Sequence, residues 1–212
     1  MALSTYENIK DFTLRELNRV GFSALESDIE DLMGIGQRTI WRTADLNAML
    51  KVSTLTVDAA FETAPTDLLR MKMLSVQSGS QSFDIRSAPL RQLFLAHDVG
   101  RPRFFSVVGS NIYFGPTPDQ EYTMDIIYYA ALTNISTSNA TNWVSDNYPE
   151  LIVWATMFEA LMWLKDDNRA ASYFGRMEKL IDEIEESERQ LHYEGGSLSV
   201  LDPARVQASA SI

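Results

Sequence analysis

The run from Leu151 to Leu164, LIVWATMFEALMWL, constrains this chain more than any other stretch. Only Thr156 and Glu159 interrupt its apolar residues. It falls short of the roughly 18–20 residues that span a bilayer. A helix apolar on nearly every side must therefore be enclosed by protein, either in its own core or by neighbouring subunits. The run belongs to a pair of helices read from Asn147 to Leu191. Asn147 is expected to cap the first helix, with Glu150 as its capping-box partner and Pro149 tolerated in the first turn. Asp166-Asp167-Asn168 breaks that helix and caps the second. Phe174, Met177, Leu180, Ile181, Ile184 and Leu191 then make an amphipathic stripe, which Gly195-Gly196 stops. The remaining tail, SLSVLDPARVQASASI, is weakly polar and without periodicity.

The chain before this pair changes texture twice. Thr5 to Asn18 reads as a helix, capped by Ser4 or Thr5 and ended by Gly21. A second helix is expected from about Ser27 to Leu50, with Ile29, Leu32, Met33, Ile40, Trp41 and Met49 at helical spacing. Gly34 and Gly36 weaken its middle by about 1 kcal/mol each relative to Ala, so a kink or break is expected there. From Lys51 the pattern alternates. VSTLTVD, LLRMKMLSVQ and SFDIRS read as strands separated by the turns APTD and SGSQ. Pro89 opens a short helix. Arg103 to Val108 and Asn111 to Phe114 flank Gly109-Ser110, a hairpin signal. Tyr122 to Ala131 is a last strand, and Asn134 to Asn147 a polar loop. The expected fold class is α+β, a helical bundle with an inserted β-rich module. The expected parts are residues 1–50 (helices), 51–131 (β module), 132–194 (helix pair) and 195–212 (tail).

Composition excludes several classes of function. A chain of 212 residues can bury a sizeable core without staples. It has no cysteine, hence no disulfide, thiolate metal site or Cys nucleophile. Its start, MALSTYENIKDF, lacks the basic and apolar regions of a signal peptide, so a soluble, cytoplasm-made protein is expected. Asn134 and Asn139 match the glycosylation pattern and are read as chance matches. The net charge of −11 argues against a nucleic-acid groove, which needs a basic stripe. That charge is uneven. Residues 116–170 carry eight acids and two bases, whereas residues 82–115 carry four arginines and two aspartates. The acids can be solvated helix faces, or the Arg-bearing middle can face an acidic helix of a neighbour. An acidic wall would also let DNA slide past.

Motifs for catalysis are absent. His97 and His192 have no second ligand at helical spacing, and there is no HExxH, Walker A loop or GxSxG. No cofactor or metal is expected. Glu159 is the one acid within the apolar run. Buried, it would have a raised pKa; otherwise it pairs with a nearby base or meets solvent at a subunit seam. Trp41, Trp143, Trp154 and Trp163 read as core or interface anchors.

The stretch NWVSDNYPELIVWATMFEALMWLKDDNRAASYFGRMEKLIDEI resembles the head-to-tail adaptor proteins of tailed bacteriophages. The likeness lies in Asn142-Trp143, Tyr148-Pro149, Glu159 and Leu164-Lys165-Asp166-Asp167. It extends to RPRFFSVVGSNIYFGPTPDQEYTMDIIYYA, and so covers about Arg101 to Leu191. The resemblance implies a virion protein forming a ring, usually of about twelve subunits, below the portal. Such a ring extends the DNA channel, lets DNA pass without specific binding, and docks a tail or nozzle protein. No membrane or enzyme activity is implied. The residues expected at the subunit or portal interface are Arg86, Arg91, Arg101, Arg103, Trp154, Phe158, Glu159, Ser197, Leu198, Val200, Leu201 and Val206. The alternatives are another minor virion or tail-completion protein, and a cell-wall glycan hydrolase using Glu159 or Asp166. A retaining hydrolase needs two carboxyl groups about 5 Å apart.

Overall fold

The computed structural model describes residues 3–79, 81–95 and 98–194, without the side chains of 78, 95 and 191–194. It is an α+β fold with two apolar cores.

The first core is a helical bundle. Helix α1 (Tyr6–Glu16) starts at Thr5, whose hydroxyl accepts the Asn8 N–H. Helix α2 (Ser23–Thr43) runs unbroken through both glycines. The expected kink is absent because Gly36 is a point of close approach. A Cβ there would lie 2.9 Å from the Ala155 carbonyl carbon. Helix α2 also stops short of Leu50. Ala44 is extended, and residues 47–49 form only a 3-10 turn. After the last strand, the loop to the helix pair is pinned inward. The buried Gln37 amide accepts the Ile135 N–H at 2.8 Å and donates to the Ile135 carbonyl at 3.2 Å. The Trp41 indole N–H donates to Asn134 at 2.8 Å, so Asn134 is engaged inside the fold.

Asn142, and not Asn147, caps the next helix. It forms a capping box with Ser145 at the head of the short α4 (Trp143–Asn147). Helix α5 (Pro149–Trp163) follows from Tyr148 without a side-chain cap. Its end has paired bonds from Lys165 N–H to the Met162 carbonyl and from Asp166 N–H to the Leu161 carbonyl. This closure puts Lys165 in the left-handed region at φ 60°. Asp166 then caps α6 (Asp167–Glu194) through the Arg169 N–H. Helix α5 is enclosed by the chain itself over most of its length, while Met162 and Trp163 at its C-terminal end are exposed. Leu151, Ile152, Val153, Met157 and Leu161 are buried among α1, α2 and α6, and the Phe158 ring lies 5.1 Å from that of Phe174. Among the described residues no helix is long and apolar enough to cross a membrane.

The second core lies between two four-stranded sheets. One has the order β1 (Leu50–Val57), β8 (Tyr122–Ala130), β3 (Leu68–Ser78), β4 (Gln81–Asp84). The other has the order β2 (Phe61–Thr63), β7 (Asn111–Gly115), β6 (Phe104–Val108), β5 (Arg86–Ser87). Alternation sets the inward faces, so Met124, Ile126 and Tyr128 of β8 meet Ile112 and Phe114 of β7. The expected strand SFDIRS divides at Ile85. Its first half pairs with β3 and its second runs parallel to β6, so it forms the corner between the sheets. Helix α3 (Leu90–Leu95) follows, with Leu93 against Gly115.

Polar bonds fix the segment at the junction of the two cores. The Arg70 guanidinium donates to the carbonyls of Arg42 and Ala44 and pairs with Asp45. The carboxylates of Glu185 and Glu188 accept the N–H groups of Asp45 and Asn47, both at 2.7 Å.

Candidate functional site

Three of the arginines expected at an interface, Arg86, Arg101 and Arg103, lie around the corner between the sheets. The Arg86 N–H donates to the Arg103 carbonyl at 2.9 Å, fixing the two residues side by side on β5 and at the entrance to β6. The Arg101 guanidinium lies 3.9 Å from the centre of the Phe83 ring on β4 and is half-buried there, a cation–π contact. Arg91 sits on α3, reached within four residues of β5. Arg86, Arg91 and Arg103 are exposed, and none of the four forms an ion pair among the described residues. Beside this corner runs a groove of about 680 Å³, bordered by Arg70 to Leu74 of β3 and by Ser87 and Val107.

The candidates on α5 occupy a different face. Trp154 and Phe158 are half-buried against α6, where Trp154 borders a shallow groove with Arg176, Leu180 and Glu183. Glu159 is half-buried on α5 near Arg42 and Arg38 of α2. Burial pushes its carboxyl pKa up, and the attraction of Arg42 and Arg38 opposes that rise. Asp166 is occupied as a helix cap and pairs with Arg169 at 3.6 Å. The tail candidates Ser197, Leu198, Val200, Leu201 and Val206 lie outside the described residues, as do His97 and the side chain of His192.

Sequence reading missed two polar constellations. One is the junction where Arg70 of β3 pairs with Asp45 while Glu185 and Glu188 of α6 hold the same segment from the bundle side. The other links Lys51, Asp67 and Tyr128. The Tyr128 hydroxyl donates to Asp67 at 3.0 Å, and the Lys51 ammonium bonds its other oxygen. That ammonium holds the Asp67 carboxyl below the usual carboxylate range. Neither constellation has local spacing that could announce it, because the partners stand 16 or more residues apart.

This arrangement offers charged, exposed corners and strand edges. Among the described residues no group of acids and histidines is placed to hold a metal ion. No curated protein matches the sequence. A family model described as SU10 adaptor protein matches residues 4–201, and thus both cores. The chain belongs to this family of bacteriophage head-to-tail adaptors, structural proteins of the virion.

Proposed function

We propose that the chain assembles into a closed ring of about twelve sister subunits at the capsid–tail junction. The ring stacks below the portal, extends the DNA channel, and docks a tail or nozzle protein. The observation that carries this reading is the family match over residues 4–201. In the ring, Arg86, Arg91, Arg101 and Arg103 face an acidic surface of a neighbour. The tail residues Ser197, Leu198, Val200, Leu201 and Val206 reach a sister subunit or the portal. The half-exposed flanks of Trp154, Phe158 and Glu159 supply a second patch. The helical parts, 1–50 and 132–194, act as one unit, and 51–131 as another. DNA slides past without specific binding, because a net charge of −11 repels phosphate. The reading assigns no enzyme activity, and the occupied Asp166 carboxylate gives the hydrolase alternative no support.

Negative-stain images of the purified chain, alone and mixed with a portal, test this proposal. Rings, or rings stacked on the portal, are the expected result. Single particles in both samples would contradict it.

A further inference from the structure

Three features of the β module point to one contact. The first is an open strand edge at β2. The Ala60 carbonyl accepts the Phe114 N–H at 2.9 Å, and the Ala64 N–H donates to the Ser110 carbonyl at 2.8 Å. Residues 60, 62 and 64 therefore turn their backbone groups toward β7, and alternation turns those of Phe61 and Thr63 away from the sheet. Phe61 is 49% exposed.

The second feature is the groove at the other end of the same sheet. The Phe105 carbonyl accepts the Ala88 N–H at 2.9 Å, so alternation turns the backbone of Val107 to that same side, beyond the end of β5. The facing wall is also open. Strand β4 pairs with β3 only from Ser75 to Ser78. Below it, Leu74 bonds Ile85, and Leu68 to Met73 have only β8 beside them. Met73 and Val107 are 39% and 38% exposed. Exposed edges of this kind are templates for another strand.

The third feature is charge. From Val52 to Leu69 the chain carries Asp58, Glu62 and Asp67 and no Lys or Arg. Asp67 is paired with Lys51, whereas Asp58 and Glu62 form no ion pair among the described residues. The groove itself is lined by Arg70, Lys72 and Asp84; the exposed Arg86 and Arg103 stand beside it, on β5 and at the entrance to β6, without ion pairs among the described residues.

We propose that the groove between β3 and β6 is a strand-docking slot, and that its occupant is the β2 edge of a second copy of this chain. Phe61 to Thr63 of one subunit continue the β5–β6 edge of the next, with Asp58 and Glu62 beside Arg86 and Arg103. The two surfaces differ and lie at opposite ends of one sheet. Repetition is therefore head to tail, the geometry that closes rings. A three-residue strand contributes few backbone bonds, each worth about 0.5–1.5 kcal/mol net. The contact is weak alone and gains strength where every subunit makes it twice. The inference rests on the ring reading above and names which surfaces meet.

The absence of cysteine makes the test clean. Thr63→Cys and Val107→Cys would be placed in the full chain separately and together, each variant checked by circular dichroism. Each would then be treated with a short bis-maleimide and run on a denaturing gel. The double variant should give a ladder beyond dimers, and each single variant should stay monomeric. Sedimentation of the untreated protein separates the two claims. Multimers without a ladder would overturn the strand contact and leave the ring reading standing. Dimers from a single variant would show like edges meeting, and would also overturn it. Monomers at every concentration, alone and with a portal, and no ladder in either would remove the ring reading along with the contact.

Discussion

In the helical bundle, Leu151, Ile152, Val153, Met157 and Leu161 of α5 are all covered by helices of the same chain. In the β module, Val52, Met73, Val107 and Val108 stand exposed on strands, and β1, β2 and half of β3 have a neighbour on one side only. The bundle thus covers most of the apolar helix internally, with Met162 and Trp163 at its end still exposed, whereas the module leaves backbone groups and arginines unused. In the proposed ring, hydrophobicity alone does not locate the assembly surface. The most apolar helix is covered along most of its length, and the unmet backbone bonding capacity lies in modest strands.

Two bundle substitutions test the first half of this comparison. Met157→Ala should have the largest effect, a loss of about 2–5 kcal/mol, because a fully buried side chain leaves a cavity. Chemical denaturation checks it, and a loss below about 1 kcal/mol would mean that α5 is not tightly enclosed. Next in size, Gly36→Ala should destabilise by about 1–3 kcal/mol despite the better helix propensity, because its Cβ would press on the Ala155 backbone. Gly34→Ala meets only Arg38 and Asn134 at 3.6 and 3.9 Å, and should stabilise by up to about 1 kcal/mol. Equal signs for the two glycines would break the close-approach argument.

These glycines also mark how far the sequence could be read. Periodicity placed the bundle helices and most strands, because burial on one face writes itself into residue spacing. Spacing could not show why Gly36 is a glycine, since the reason is a residue 119 positions on. Nor could it end α2 at Thr43, where the following N–H groups are taken by Glu185 and Glu188 of α6. Strand β2 was invisible because three residues carry no period and exist as a strand only against β7. Asn147 reads as the cap of the apolar helix, but it ends the short α4, which Asn142 caps, and α5 starts from Tyr148 without a side-chain cap. The arginine corner was half legible. The charge excess of residues 82–115 is plain in the sequence. Its concentration at one corner depends on the chain changing sheets at Ile85.

A smaller effect is expected at Glu159, where the enclosed helix meets solvent. A pKa raised in the folded state means that folding favours the protonated carboxyl, so the charged form weakens the fold. Glu159→Gln should therefore raise the melting temperature by a degree or so (~1 °C) at neutral pH. The gain should fade as pH falls through the raised pKa and vanish below the ordinary value of 4.5. Thermal melts at several pH values check this. A loss of stability at pH 7 would mean that the attraction of Arg38 and Arg42 outweighs burial.

The central claim, that the arginine corner of the module carries the larger share of assembly, is tested most directly by Arg86→Glu with Arg103→Glu. Both side chains are exposed and form no ion pair among the described residues, so the fold should change by less than about 0.5 kcal/mol. Sedimentation velocity of wild type and variant, at low and high salt, reads the assembly. The variant should keep its melting curve and lose association with sister subunits. High salt should weaken the wild type toward the same state, because screening acts within about 10 Å at 0.1 M. Unchanged assembly of the variant at every salt concentration would contradict the central claim.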